Sequence, residues 1–100
     1  MAKGYWIAQV DVTDPEGYKA YIAANGEPLR KYGAKFLVRG GTSECMEGKV
    51  RSRIIVIEFK DFATALACYR SGEYENARKL RLGKSNADFV VVEGYDGPQP

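Results

Sequence analysis

The sequence predicts an α+β fold of the ferredoxin-like type, a four-stranded antiparallel sheet with helices on one face, in the order β-α-β-β-α-β. Two strand-then-helix units follow one another, and a further strand closes each unit. The composition is that of an ordinary globular protein, with 45% hydrophobic and 28% charged residues. We expect residues 1–100 to form a single domain, in which residues 95–100 are a flexible tail.

The first strand leads directly into the first helix. Residues 5–12, YWIAQVDV, are rich in strand formers, and Thr13 or Asp14 can cap a helix whose first position is Pro15. Apolar side chains then recur at the spacing of one helical face until Gly33. The sequence therefore predicts a helix from Pro15 to the residues before Gly33.

A proline interrupts that helix. Pro28 lacks a backbone N–H, and its ring crowds the preceding turn. We therefore expect a kink, or a break into two pieces, near Asn25.

The middle of the chain predicts a long hairpin. Residues 34–41 and 49–59 both have strand composition, and Glu47 and Gly48 occupy the tightest point between them.

The second crossover is predicted to be a helix in two parts. Asp61 can cap residues 62–70, and Ser71 can restart the helix through residues 72–82. Residues 86–95, NADFVVVEGY, then form the last strand.

The strands are too apolar for a sheet with one wet face. The run RIIVIEF is apolar on both faces for most of its length, as is FVVV, and Tyr5 and Ile7 lie opposite the main apolar side of the first strand. Four to six exposed aliphatic side chains forfeit about 1.5–3 kcal/mol each. We therefore expect a homodimer in which the helix-free sheet faces pack together. A monomer that offers this patch to another protein is the alternative.

Charge and composition exclude several classes of partner. Lys and Arg total 15 against 13 for Asp and Glu, and they are spread along the chain, so no nucleic-acid surface is expected. No apolar run approaches the length of a spanning helix and no signal-peptide core follows the N-terminus, so we expect no membrane contact and a cytoplasmic location. Cys45 and Cys68 are isolated and histidine is absent, so no metal site is expected.

Arg39 is an unusual residue for the end of an apolar strand. If the turn is a plain two-residue one, Arg39 and Glu58 share a face as diagonal neighbours and can pair. If Gly40 and Gly41 form a bulge, the register shifts by one residue and Arg39 instead shares a face with two isoleucines of the third strand. In both cases we expect a buried or half-buried cation that needs an anion.

Three roles remain open for Arg39. A carboxylate of Glu58, Glu93, Asp11 or a partner chain can pair with it and fix how strands and subunits dock. Alternatively, Arg39 binds a ligand carboxylate or enolate, and Gly40 and Gly41 let that ligand approach the backbone. The third possibility is that Arg39 is exposed on the surface.

Several tyrosines and one asparagine are the next candidates. Tyrosine can donate a proton to a developing oxyanion with Glu58 as the base, which makes Arg39, Glu58 and Tyr69 the candidate catalytic residues. The alternative for the tyrosines is that they only pack in the core. The alternative for Asn25 is that its side chain forms a hydrogen bond with the backbone carbonyl that Pro28 leaves without a donor. The candidate ligand-binding residues are Tyr18, Tyr21, Asn25, Gly40, Gly41 and Tyr74.

Four stretches of the chain match a known pattern: GYWIAQVDVTDPEGYKAYIAAN, KYGAKFLVRGG, IIVIEFKDFATALACYRSGEY and VVVEGY. They resemble the family called domain of unknown function 1330, within the dimeric α+β barrel superfamily. Lys60 departs from the proline usual after EF. The resemblance implies the fold and a dimer but no reaction. Relatives in the superfamily include cofactor-free monooxygenases, muconolactone isomerases, aldoxime dehydratases and haem-dependent chlorite dismutases. Haem commonly needs a proximal histidine, which is absent here, so we expect no cofactor.

These observations predict a small homodimeric protein that binds a partly apolar carboxylate or an aromatic metabolite in an enclosed pocket. Cofactor-free proton-transfer or oxygenation chemistry is an expected extension of that role. A non-catalytic accessory dimerisation module without a ligand is the alternative.

Overall fold

A computed structural model describes residues 2–100, which form one sheet and three helices. The sheet has the strand order β2-β3-β1-β4, and every neighbouring pair is antiparallel. The ferredoxin-like α+β fold is thereby confirmed, as is the division of the second crossover into two helices. The elements are β1 (Gly4–Val12), α1 (Pro15–Lys31), β2 (Lys35–Arg39), β3 (Arg53–Phe59), α2 (Phe62–Arg70), α3 (Gly72–Lys79) and β4 (Ser85–Glu93).

Each helix begins at a side chain that caps its free N–H groups. The carboxylates of Asp14 and Asp61 and the hydroxyl of Ser71 each accept a hydrogen bond from the backbone N–H three residues later. The Asp61 bond, to the N–H of Thr64, is 2.7 Å long. Capping at these positions agrees with the sequence-based prediction.

Helix α1 is a single helix of 17 residues, so of the two outcomes expected near Asn25, a kink or a break into two pieces, the break is wrong. Pro28 removes only the one backbone hydrogen bond that its own N–H would donate to the carbonyl of Ala24, and α1 ends three residues later. Its own carbonyl still accepts from the N–H of Tyr32, at 3.2 Å. The buried proline ring and the continued bonding therefore keep the last turn helical.

The two middle strands pair antiparallel as predicted, but the hairpin is shorter than expected and lacks the tight turn at residues 47–48, because residues 40–52 form a loop without regular structure. Strand β2 ends at Arg39, and Gly40 then adopts a φ of +68°, a left-handed conformation that glycine tolerates and a strand residue does not adopt.

Arg51 holds that loop against the end of the sheet. Its backbone N–H donates to the side chain of Gln9, at 3.1 Å. Its guanidinium bridges Asp11 on β1 and Asp88 on β4, with N···O distances of 3.0 and 2.9 Å. The Arg51 side chain therefore holds the loop in place, where a hairpin would use backbone hydrogen bonds between its strands.

The register of β2 places Arg39 opposite Ile55, with a bulge between Phe36 and Val38. The register predicted for a plain two-residue turn is wrong, and the alternative in which Arg39 shares a face with isoleucines is confirmed. The irregularity is at Leu37, however, and not at the two glycines. Arg39 is exposed, so the expectation of a buried or half-buried charge is wrong for the single chain.

The core lies between the sheet and the helices, and Trp6 is at its centre. The Trp6 indole N–H donates to the backbone carbonyl of Ala65 on α2, at 2.8 Å. Its ring packs against aromatic rings of β3, α3 and β4, with the Tyr74 centroid 4.8 Å away. This packing fixes α2 and α3 above β1. The buried apolar residues are Trp6, Ala8, Val10, Tyr18, Tyr21, Leu29, Ile57, Phe59, Ala65, Cys68, Tyr74 and Ala77.

The opposite face of the sheet carries a continuous aliphatic row that no helix covers. Val38, Val56, Ile7 and Val90 are paired in turn across all four strands. Val38, Ile7 and Val90 are 39%, 37% and 52% exposed, respectively. We call these four residues the aliphatic row. Among the helices of residues 2–100, none is both long and apolar enough to cross a membrane.

Candidate functional site

A cavity of about 40 Å³ lies on the helix side of the sheet, and we call it the helix-side cavity. Its apolar walls come from side chains of the sheet, including Trp6, Phe36 and Ile55. Its polar groups come from α1, from the facing ends of β2 and β3, and from the segment after α3. The polar and phenolic residues that line it are Tyr18, Tyr21, Asn25, Arg39, Arg53 and Arg81.

Three guanidinium groups line the helix-side cavity without a carboxylate among its lining residues. Arg39 ends β2, Arg53 begins β3, and Arg81 follows α3. Within the described part of the chain, none of the three forms an ion pair. The cavity is therefore positively charged, and it attracts anions.

Strand alternation brings Arg53 to this cavity. It lies two residues before Ile55 on β3 and faces the same side of the sheet. Its Nε is buried and has no hydrogen-bond partner among the described residues. A Cβ on Gly40 would lie 2.8 Å from the Arg53 Cζ, so a side chain at position 40 would displace this guanidinium.

Arg39 and Arg81 each lie against an aromatic ring. The Arg39 Cζ is 4.1 Å from the centroid of Phe36, and the Arg81 Cζ is 5.5 Å from that of Tyr21. Such cation–π contacts orient a guanidinium while leaving its N–H groups available to an acceptor.

Two tyrosine hydroxyls join α1 to α3 beside the cavity. Those of Tyr21 and Tyr74 lie 2.8 Å apart and are hydrogen-bonded to each other. Burial raises the pKa of Tyr74, and the neighbouring Tyr21 raises it further. Burial also raises the pKa of Tyr18. Tyr18 and Tyr74 are therefore neutral phenols across the physiological pH range.

Asn25 is the one buried polar residue of the described core, with 6% of its surface exposed. Its side chain lines the helix-side cavity, and its Oδ1 has no hydrogen-bond partner among residues 2–100. A buried acceptor without a donor is unusual in a folded protein and needs an explanation.

The structure gathers four of the predicted site residues and separates the rest. Glu58 is on the helix-free face, paired with Tyr5 and Lys35, so it lies across the sheet from the cavity and does not pair with Arg39. Tyr69 packs on Trp6 and Phe89 outside the lining. Tyr74 is not part of the lining, but its hydroxyl bonds to that of Tyr21 and its ring packs on Trp6. Gly40 contacts the site through Arg53, and a side chain on Gly41 would meet nothing within 4 Å. The four that line the cavity are Tyr18, Tyr21, Asn25 and Arg39.

Sequence reasoning missed Arg53 and did not assign Arg81 to the site. A signal for Arg53 was present, because the alternation Arg53, Ile55, Ile57 puts the arginine on the core face of β3. Arg81 follows the last turn of α3, where a basic residue is equally well explained by the helix dipole.

Residues 2–100 contain no group of three or more His, Cys, Asp or Glu side chains that could hold a metal ion. The buried Cys68 is not a nucleophile either, since burial raises its pKa to about 12. The chemistry available to the cavity is therefore that of guanidinium, phenol and amide groups.

The sequence profile of a family described as "Domain of unknown function (DUF1330)" matches residues 3–95 of this chain. No curated protein matches the sequence.

Solved structures with the same fold have low sequence identity to this chain. A protein of unknown function from Rhodopseudomonas palustris, RPA0582, is 15% identical with a TM-score of 0.73, and the match covers 96% of this chain and 85% of that one. SnoaB, a cofactor-independent oxygenase from Streptomyces nogalater, is 9% identical with a TM-score of 0.63, over 100% and 97% of the two chains. An ethyl tert-butyl ether (ethd) family protein from Bacillus halodurans is 14% identical with a TM-score of 0.57, over 95% and 100%. At these identities the likeness concerns the fold alone.

Proposed function

The chain belongs to the family of domain of unknown function 1330, and from that premise we propose that it binds a small, partly apolar carboxylate in the helix-side cavity. The observation that carries the proposal is the set of three guanidinium groups without a protein carboxylate beside them. Like charges gathered around one cavity repel each other, and an anion relieves that repulsion. Guanidinium groups also match the geometry of a carboxylate, which can accept two parallel hydrogen bonds.

The size of the cavity favours a small acid over an aromatic metabolite. A buried water needs roughly 10–15 Å³ on this measure, and a cavity that binds benzene measures roughly 150 Å³. The 40 Å³ here holds only a few non-hydrogen atoms, so a longer ligand extends outward past the exposed Arg39. The apolar walls suit a short alkyl group and the arginines suit its acid group.

We assign no turnover to this cavity. Proton abstraction needs a base, and the lining offers guanidinium, phenol and amide groups but no carboxylate. Glu58, the base expected from the sequence, lies on the other face of the sheet. The fold that this chain shares with a cofactor-independent oxygenase supports no particular reaction, because one fold supports many activities.

We also propose that the protein works as a homodimer in which two aliphatic rows pack against each other. Full burial of an exposed aliphatic side chain contributes about 1.5–3 kcal/mol, and Ile7 and Val90, which are 37% and 52% exposed, can still gain the corresponding part of it. A two-fold axis buries both copies of the row at once. The row lies in the middle of the sheet face, with Glu58 and Lys35 on one side and Asp88 on the other. A polar margin around an apolar centre is typical of a protein interface.

Titration with sodium butyrate, followed by amide chemical shifts, tests the binding proposal. We expect butyrate to shift resonances of residues around the cavity, and Arg53→Gln to weaken binding about tenfold or more, since a hydrogen bond to a charged group contributes roughly 1.5–3 kcal/mol. Arg70→Gln is the matched control, because Arg70 is exposed at the end of α2 and away from the cavity. If neither butyrate nor its 2- and 3-hydroxy derivatives shift a cavity resonance of the unaltered protein, the binding proposal fails and an accessory dimerisation module is the better description.

A further inference from the structure

We infer that the preferred ligand of the helix-side cavity is a hydroxy acid, whose carboxylate accepts from the arginines and whose hydroxyl donates to the Oδ1 of Asn25. This inference rests on the proposed binding of a carboxylate and adds to it the second functional group of the ligand. It follows from two buried polar atoms that have no hydrogen-bond partner among residues 2–100.

The two atoms are of opposite kind and line the same cavity. The Nε of Arg53 is a donor, the Oδ1 of Asn25 is an acceptor, and both are buried without a hydrogen bond in the described chain. If the two could reach each other, they would pair, since an unsatisfied buried group is costly. A molecule between them that carries both an acceptor and a donor satisfies both.

The ligand groups can be assigned to the protein atoms by their chemistry. A carboxylate only accepts, so it fits the donors of Arg53 and of the neighbouring Arg39 and Arg81 and is repelled by the Asn25 oxygen. Asn25 therefore needs a different ligand group with an N–H or O–H. Because Asn25 belongs to α1 and Arg53 to β3, the two ligand groups bind opposite walls of the cavity.

Charge distinguishes a hydroxyl from an ammonium group as the donor. Three guanidinium groups already line the cavity, and no carboxylate of the described lining offsets them. A second cationic group on the ligand is therefore disfavoured by like-charge repulsion, whereas a neutral hydroxyl is not. The inference thus selects hydroxy acids over amino acids of the same length.

Four acids with the same carbon skeleton test this inference: butyrate, 2-hydroxybutyrate, 3-hydroxybutyrate and 2-aminobutyrate. We expect at least one hydroxy acid to bind about tenfold more tightly than butyrate, and 2-aminobutyrate to bind more weakly than butyrate. If neither hydroxy acid binds more tightly than butyrate, the inference is overturned while the carboxylate proposal stands. If none of the four binds, both fail.

The variant Asn25→Leu tests whether the Asn25 amide causes the preference for a hydroxy acid over butyrate. It keeps the approximate volume of the side chain and removes the acceptor, so we expect it to abolish the preference for the hydroxy acid, measured as the ratio of the hydroxy-acid affinity to the butyrate affinity of the same variant. A preference that survives in the variant overturns the role of Asn25. Asn25→Ala serves the same purpose should the leucine variant fail to fold, and the ligand series on the unaltered protein decides the inference independently of either variant.

Discussion

The hydroxyl groups of Tyr21 and Tyr74 lie 2.8 Å apart and form a buried hydrogen bond between α1 and α3. The residues are 53 positions apart in the sequence, and their rings meet edge to face with centroids 6.3 Å apart. This contact ties the wall of the helix-side cavity, which α1 provides, to the helix that packs on Trp6. The position of α1 above the sheet thus depends partly on one pair of phenols.

Removing one of the two hydroxyls should cost more than half of the stability that is lost when both are removed. We expect Tyr21→Phe and Tyr74→Phe each to lower the free energy of unfolding by about 1–3 kcal/mol, because each leaves a buried hydroxyl without this partner. The double variant should lose clearly less than the sum of the two. Urea denaturation of the four proteins measures this, and additive losses would show that the hydroxyls are not coupled.

The buried thiol of Cys68 should make the protein less stable in alkali. Burial raises its pKa from 9.0 to about 12, so the unfolded chain releases the proton at a lower pH than the folded protein does. The free energy of unfolding is therefore unaffected by this thiol below pH 9 and falls from there to about pH 12, by at most about 1.4 kcal/mol per pH unit. Urea denaturation between pH 8 and 10 gives the slope.

The variant Cys68→Ala supplies the control for that slope. It costs stability at every pH because it removes buried atoms, but it should flatten the decline above pH 9. Tyr74 adds its own loss only above pH 10, since its pKa is raised from 10.0. An unchanged slope between pH 9 and 10 in the variant would contradict the role given to the thiol.

A charge placed in the aliphatic row should dissociate the proposed dimer. We expect the unaltered protein to sediment as a dimer of its 11.1 kDa chain at micromolar concentration, and Ile7→Lys to sediment as a monomer, because each dimer would bury two lysines. Ala20→Lys adds the same charge on an exposed position of α1 and should leave the dimer intact. A monomeric unaltered protein would rule out the dimer.

Gly40 and Gly48 form a matched pair for testing how the loop supports the cavity. Both have positive φ, +68° and +75°, so alanine at either position should cost about 1–2 kcal/mol of stability. A Cβ at position 40 displaces the guanidinium of Arg53, whereas one at position 48 meets nothing within 4 Å. Only Gly40→Ala should therefore weaken butyrate binding, and equal affinities of the two variants would show that Gly40 does not position Arg53.

Local chemistry made most of the fold predictable. Caps at Asp14, Asp61 and Ser71 begin the helices where their side-chain oxygens predict, and the apolar alternation of β1 places Trp6 and Ile7 on opposite faces as expected. These features depend on near neighbours in the sequence. They require no knowledge of what packs above them.

The errors arose where contacts distant in sequence decide the structure. Glu47 and Gly48 favour a tight turn, but Arg51 reaches Asp11 and Asp88 on other strands, and no local pattern reveals that bridge. Asn25 was a candidate from its place on an apolar stripe, yet its unpartnered oxygen becomes visible only when the sheet is assembled beneath α1. Arg53 could have been found, because the alternation of β3 already pointed it inward.

Strand β1 contributes Trp6, Ala8 and Val10 to the helix-side cavity and Ile7 to the aliphatic row. Side chains alternate with a period of two, so inserting or deleting one residue within β1 would exchange the two sets. Trp6 and Ala8 would then turn outward as Ile7 turned inward. Insertions and deletions in β1 should therefore be tolerated far less than those in residues 40–52, because a single one in β1 would damage the ligand site and the subunit contact together.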